Sequence, residues 1–181
     1  GVDGTIGDTW QVGVLAGFTR TTFDTAGKAS SGNAETAHVG VYGGTRFGNV
    51  ALKAGATHSW HALKTSRQVV APGLTETLSA DYDARTLQAF GEVSYMARWQ
   101  AATLEPFANL AYVRTDTDGF AETGGAAALS GGSESQGTAY TTLGLRAETP
   151  FTIGTVRLNV HGMAGWQHAF GDITPTARMN F

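Results

Sequence analysis

The feature that most constrains the fold is a strict alternation of apolar residues with polar or small ones. The first clear segment places Gln11, Gly13, Leu15 and Gly17 between the apolar residues Trp10, Val12, Val14, Ala16 and Phe18. A period of two puts these two sets on opposite faces of a β-strand. The sequence therefore predicts an all-β fold whose strands have one apolar face and one polar or small-residue face.

The same alternation recurs along the whole chain, which predicts about eight complete strands. After the first segment, they lie at residues 38–47, 50–57, 86–95, 105–112, 140–148, 156–167 and 177–181, and residues 2–6 look like the end of one more strand. Long polar stretches at residues 19–36, 61–84 and 114–137 alternate with short turns. Outer-membrane barrels have short periplasmic turns and long extracellular loops. We therefore expect one domain, residues 1–181, that is an antiparallel up-and-down transmembrane β-barrel of the bacterial outer membrane.

The composition agrees with a barrel and excludes several other classes. Charged residues are only 15% of the chain, and no apolar run approaches the length of about 18 residues that a membrane-spanning helix needs. The chain has no cysteine, which removes disulfides and thiolate chemistry. A net charge of -3 without a basic stripe gives no support for a nucleic-acid partner.

The charged side chains of the predicted strands lie opposite the apolar rows, whereas a soluble barrel would expose its charges on the outside and pack its apolar face. We predict that Glu92, Glu105, Arg146 and Arg157 belong to a polar wall around a wet lumen, with charges paired across neighbouring strands. An equally open interpretation is that they pair only for stability. Large aromatic residues mark the ends of the apolar rows and predict an interfacial belt, the alternative being ordinary core aromatics: Trp10, Phe47, Trp60, Trp99, Tyr112 and Trp166.

A catalytic site has little support in the sequence. His58, Ser59 and His61, with Asp81 or Asp83, supply the residue types of a Ser-His-Asp relay. Adjacent residues of a strand point to opposite faces, so His58 and Ser59 are expected to diverge. Asp81 and Asp83, beside Arg85, are better explained as salt bridges at the rim. The five histidines are scattered without metal-ligand spacing, so we expect neither a metal site nor a cofactor.

Several segments resemble the barrel domain of the autotransporter (type V secretion) family. They are VGVLAGFTRTTFD at residues 12–24, HVGVYGGTRFG at 38–48, LSADYDARTLQAFGEVSY at 78–95, LEPFANLAYV at 104–113 and GWQHAFGD at 165–172. The resemblance implies a twelve-stranded translocator barrel around an α-helix, without a cofactor. Such a barrel anchors an N-terminal passenger in the outer membrane and takes part in its export, assisted by the barrel-assembly machinery. Some members cleave the passenger with an Asn of the linker helix and acidic wall residues. Because this chain is expected to lack the helix, that chemistry is not carried over to it, and Glu92 is named only as a conceivable wall acid.

Against the family pattern, this chain is expected to lack the passenger, the linker helix, the first strand and the last strands. Other material would then have to close the barrel, since open sheet edges are costly in lipid. A porin-like channel and an outer-membrane hydrolase remain as alternative functions. On the barrel interpretation, Val14→Arg and Leu145→Arg should be costly, whereas Gly144→Ser on the polar face should be mild.

Overall fold

A computed structural model describes residues 1–25, 30–171 and 179–180 of the chain. The strands in this part are β1 (Val2–Ile6), β2 (Trp10–Thr25), β3 (Ser30–Phe47), β4 (Val50–Ala71), β5 (Leu74–Tyr95), β6 (Ala97–Trp99), β7 (Ala102–Thr117), β8 (Phe120–Ala121), β9 (Ser130–Gly131), β10 (Glu134–Ile153), β11 (Val156–Gly171) and β12 (Met179–Asn180). Within these ranges the structure has no helix that is long and apolar enough to cross a membrane.

The long strands form one antiparallel sheet whose order follows the chain: β1, β2, β3, β4, β5, β7, β10 and β11. The short strand β6 pairs with the beginning of β7. Each strand therefore pairs with its neighbours in sequence, which is the up-and-down order that the alternation predicts. Among the residues that the structure describes, β1 and β11 are the outer strands of this sheet.

Tight turns join the strands at one end of the sheet. Gly48 connects β3 to β4 with a φ of 57°, and Gly154 connects β10 to β11 with a φ of 60°. Gln100, between β6 and β7, has a φ of 54°. These are left-handed conformations that two-residue hairpin turns require and that glycine adopts without strain. The short turns predicted near residues 48, 100 and 152–154 are confirmed.

At the opposite end the strands are much longer than the sequence indicates. The stretch at residues 19–36 is mostly strand, because Thr25 of β2 still pairs with Ser30 of β3. The stretch at residues 61–84 is almost entirely strand, since Ala71 pairs with Leu74 and only Pro72 and Gly73 form the turn. The interpretation of these two stretches as loops was wrong. Backbone pairing continues where both faces have become polar, so the hydrophobic alternation ends before the strand does.

The third predicted loop is only partly irregular. β7 continues to Thr117 and β10 begins at Glu134, and the segment between them contributes β8 and β9 to a small second sheet. The last predicted strand, at residues 177–181, lies mostly outside the described residues. Its described part, β12, pairs with β9 in the small sheet and is not a neighbour of β11.

Candidate functional site

The strand register sorts the side chains of the large sheet onto two faces. Directly opposed residues in a sheet point to the same side. Val14 lies opposite Val41, which lies opposite Ala56, so these residues share one side, called here the apolar face. On the other side, called the polar face, Lys53 lies opposite Glu92, and Glu105 lies opposite Arg146. The two faces therefore differ in chemistry as the sequence predicts.

Three of the four predicted wall residues meet in one ion-pair group, the Arg146 cluster, formed by Lys53, Glu92, Glu105 and Arg146. Arg146 donates from Nη1 to Glu92 Oε1 at 2.9 Å and from Nη2 to Glu92 Oε2 at 2.7 Å. Its Nη1 also donates to Glu105 Oε1 at 3.0 Å. Lys53 Nζ lies 3.4 Å from Glu92 Oε1. The guanidinium fork thus holds two carboxylates on two strands, and the cluster contains equal numbers of positive and negative groups.

Arg146 reaches Glu92 by lying across Phe107 of the intervening strand β7. Its Cζ atom is 3.9 Å from the centre of the Phe107 ring, a distance typical of a cation–π contact. Phe107 is only 8% exposed and lies opposite Gly144 of β10. The ring fills the space that a side chain at residue 144 would occupy. Phe107 and Gly144 are thus part of the support for the Arg146 cluster.

This packing overturns the expectation that Gly144→Ser would be mild. A Cβ atom at Gly144 would lie 2.5 Å from Phe107 Cζ and 2.9 Å from the carbonyl oxygen of Ala164. Such distances are too short for real contacts, so the Phe107 ring or the backbone would have to move. The sequence reveals that Gly144 is on the polar face but not that an aromatic ring covers it.

We expect Gly144→Val to lower the free energy of unfolding by roughly 1 to 3 kcal/mol, the usual range for overpacking a filled site. Gly91→Val is the control for adding the same side chain without a clash, because Gly91 lies opposite Ala54 on the apolar face and a Cβ atom there would meet nothing within 4 Å. The measurement is urea unfolding of the complete protein in lipid vesicles. Equal losses in the two variants would show that the Phe107 packing is not the cause.

The fourth predicted wall residue, Arg157, does not join the cluster. It lies on β11 opposite Thr152, close to the turn, and makes no ion pair with a described residue.

Sequence reasoning also missed a hydrogen-bonded row that crosses four strands of the polar face. His61 Nδ1 lies 2.9 Å from Thr36 Oγ1, and His61 Nε2 lies 3.0 Å from Thr86 Oγ1. Thr86 Oγ1 in turn lies 3.3 Å from Thr115 Oγ1 of β7. The row forms because the strand register places these side chains next to one another. No single segment of the sequence indicates that register.

The residue types of a Ser-His-Asp relay are present but are not assembled. His58 lies opposite Val39 on the apolar face, whereas Ser59 and His61 lie on the polar face. Asp81 and Asp83 lie opposite Lys64 and Ala62, on the apolar side. Neither of these aspartates therefore orients His61, whose two ring nitrogens face threonine hydroxyls. Among the described residues, no group of three or more potential ligands could hold a metal ion.

The predicted rim salt bridges have different partners from those expected. Asp81 Oδ1 lies 3.8 Å from Lys64 Nζ, not beside Arg85. Arg85 lies opposite Asp116, which itself accepts hydrogen bonds from Arg114. The side of the sheet that carries the apolar face thus becomes charged in the strand extensions, beyond the aromatic residues.

All six aromatic residues of the predicted belt are exposed and lie on the apolar face. Three are next to the tight turns, and three are nearer the opposite end: Trp10, Phe47 and Trp99 in the first group, Trp60, Tyr112 and Trp166 in the second. Exposed leucine and valine side chains lie between the two groups. Large apolar side chains left open to the surroundings mark a surface that meets lipid or another apolar partner. That these residues sit at the membrane interfaces stays a prediction.

These observations together define a class of protein. Sequential antiparallel strands, tight turns at one end, an exposed apolar face with aromatic margins and a charged opposite face describe the wall of an outer-membrane β-barrel. Comparison with known proteins makes the assignment more specific. The chain matches the family model described as "Autotransporter beta-domain" over residues 1–181 and belongs to that family.

Two curated relatives and one solved structure agree with this assignment. The chain is 41% identical over 181 residues to an "Extracellular serine protease" of Serratia marcescens and 40% identical to a second protein of that name and organism. It covers 17% of the length of each of these relatives. The fold superimposes on the translocator domain of the autotransporter NalP from Neisseria meningitidis with a TM-score of 0.76 and 18% identity, covering 97% of this chain and 58% of that one. The protein is therefore an outer-membrane β-barrel protein with the translocator fold.

Proposed function

We propose that this chain is the translocator part of an autotransporter, which anchors a passenger in the outer membrane and takes part in moving it to the cell surface. The observation that carries the proposal is the separation of an exposed apolar face from a polar face with the Arg146 cluster, in a chain of this family. In a closed barrel, the apolar face contacts lipid and the polar face lines the lumen. The chain spans only 17% of the length of its protease relatives, and on this proposal the passenger is another part of a longer protein.

The Arg146 cluster suits a wall past which a polypeptide must move. Lys53 and Arg146 balance Glu92 and Glu105, so the cluster as a whole carries no net charge. Charges already paired with each other attract a passing charged chain less than single charges do, because their fields largely cancel. The wall therefore stays hydrated without holding the passenger tightly. The same groups offer hydrogen bonds to a linker helix that rests in the lumen.

The partners that follow from this proposal are outer-membrane lipid, the protein's own passenger and linker helix, and the barrel-assembly machinery.

We also propose that the chain itself is not an enzyme. Glu92 accepts hydrogen bonds from Arg146 on both carboxylate oxygens, and Lys53 approaches one of them. A carboxylate held in this way is a weak general base, so cleavage of the passenger by Glu92 is not expected.

The test is a display assay with the complete parent protein on intact cells. We expect an epitope inserted upstream of residue 1 to bind antibody from outside, without an increase in the uptake of small solutes. Epitopes in the two kinds of turn serve as matched controls: one between Pro72 and Gly73 should bind antibody, and one between Gly48 and Asn49 should not. Solute uptake without display would support the porin-like channel instead, and hydrolysis of lipid or peptide by the barrel would support the hydrolase.

A further inference from the structure

The segment between β7 and β10, residues 118–133, folds against the β4–β5 hairpin and is called the cap. Its backbone pairs with the free edge of β5, since Ser79 N donates to Thr123 O at 2.9 Å and Thr123 N donates to Ser79 O at 2.9 Å. The ring of Phe120 packs against that of Tyr82, with centroids 5.6 Å apart. The cap is thus fixed to the part of the hairpin that extends past the neighbouring strands.

Two carboxylates hold the cap from opposite directions. Glu122 of the cap accepts two hydrogen bonds from Arg67 of β4, at 2.7 Å from Nε and 2.6 Å from Nη2. Glu76 of β5 accepts hydrogen bonds from the backbone N–H groups of Ala126 and Ala127, each at 2.9 Å. One link is a paired-charge contact and the other holds the cap backbone directly. Charge-assisted hydrogen bonds of this kind are stronger than neutral ones.

The cap also closes over a small apolar core. Leu78 is 0% exposed, and Ala80 beside it on the same face is 4% exposed, although both lie in a protruding hairpin. A side chain at Gly124 or Gly125 would run into Thr77 or Glu76, so the cap approaches β5 as closely as glycine allows. Burial and hydrogen bonding together give the cap one defined position.

The face of the hairpin that the cap covers is the polar face. β5 pairs with β4 in an unbroken register from Leu74 to Tyr95, so Glu76, Leu78 and Tyr82 point to the same side as Glu92. The polar face lines the lumen if the proposed function holds, and the cap then lies on the lumenal side of the outer mouth. We propose that the cap is a gate that obstructs the outer mouth of the barrel and must leave the hairpin when a passenger passes.

Glu122 and Glu76 are both ionised at neutral pH, and in this form both hold the cap against the hairpin, so the gate is shut. The hydrogen bond from Arg67 lowers the pKa of Glu122 below its ordinary value, and the N–H groups of Ala127 and Ala126 lower the pKa of Glu76. A carboxyl group whose pKa is lowered by a contact supports that contact above its ordinary pKa. The support is lost as the pH falls through the lowered value. Both links are therefore complete at neutral pH.

The gate is tested by the reaction of a cysteine beneath the cap with a membrane-impermeant maleimide on intact cells. The reporter is Gln88→Cys, an exposed polar-face position on β5, in the full-length parent protein with any other cysteines removed. Arg67→Ala with Glu122→Ala removes the paired-charge link. We expect labelling to become roughly tenfold faster, because losing hydrogen bonds to a charged group changes the open population by about this factor.

The matched control is Lys64→Ala with Asp81→Ala, which removes an ion pair between β4 and β5 of the same hairpin, on the apolar side and away from the cap. It should leave the labelling rate unchanged, and Glu76→Ala should raise the rate as a second, independent variant. Equal labelling rates in the native and variant proteins would overturn the gate, provided that each protein is folded, as judged by the shift of its gel band on heating.

A second reporter, Thr22→Cys on the β2 extension, tests the orientation of the barrel. It labels on intact cells only if that end is outside, so a failure to label would overturn the proposed function instead.

Discussion

Leu145→Arg is expected to lower the free energy of unfolding in lipid vesicles by about 2 to 4 kcal/mol, and Val14→Arg by a similar amount. Both side chains are exposed on the apolar face, at distances from the turns that place them toward the middle of the hydrocarbon region. An arginine there has no partner and loses its hydration, so the penalty rises with depth in the bilayer. Urea unfolding of the complete protein, followed by tryptophan fluorescence, gives the energy.

The control for this prediction is Gln88→Arg, which adds the same group to an exposed position of the polar face. It replaces Gly144→Ser, which is unsuitable because Phe107 covers Gly144. We expect Gln88→Arg to change the free energy of unfolding by no more than about 0.5 kcal/mol. A loss as large as that of Leu145→Arg would mean that both faces meet lipid or that neither does, and the assignment of sides would be abandoned.

Arg146→Ala is expected to lower the free energy of unfolding by about 2 kcal/mol, because Glu92 and Glu105 both lose a charged hydrogen-bond donor. The Arg146 side chain is 32% exposed, so water replaces part of the lost interaction and the cost stays below that of a fully buried pair. The Phe107 ring also loses its cation–π contact. The same vesicle unfolding experiment measures the change.

Two further variants distinguish the ion pairs from a general effect of losing charge. Arg157→Ala removes a polar-face arginine without a described ion-pair partner and should cost no more than about 0.5 kcal/mol. Adding Glu92→Gln to Arg146→Ala should recover part of the loss, since a neutral amide does not need the guanidinium. If Arg157→Ala proves as costly as Arg146→Ala, the pairing in the Arg146 cluster is not what stabilises the wall.

The sequence predicts the sides of the strands well, because a period of two is a direct consequence of strand geometry. Val14, Leu145, Glu92 and Arg146 lie on the faces that their positions in the alternation indicate. The short turns are also evident, since glycine marks the left-handed positions at Gly48 and Gly154. These features depend on residues that are close together in the chain.

Features that depend on pairing between distant residues could not be predicted in the same way. The contact of Arg146 with Glu92 passes over a whole strand, and the cap is fastened by Arg67, which lies 55 residues before Glu122. The strand extensions were missed because Thr and Ser on both sides of a solvated hairpin remove the alternation but not the backbone pairing. Burial of Leu78 under the cap gives no local signal, since its neighbours along β5 are largely polar.

The reach of Arg146 across β7 has a consequence for the geometry of the closed barrel. A slip of β10 by two residues relative to β7 would keep every side chain on its own face but would move Arg146 roughly 6 to 7 Å along the strand, away from Glu105. The contacts of one side chain therefore favour a single stagger of three neighbouring strands, β5, β7 and β10. Strand number and stagger together determine the tilt and the diameter of a barrel. The Arg146 cluster thus helps to set the width of the passage through the membrane, as well as the chemistry of its wall.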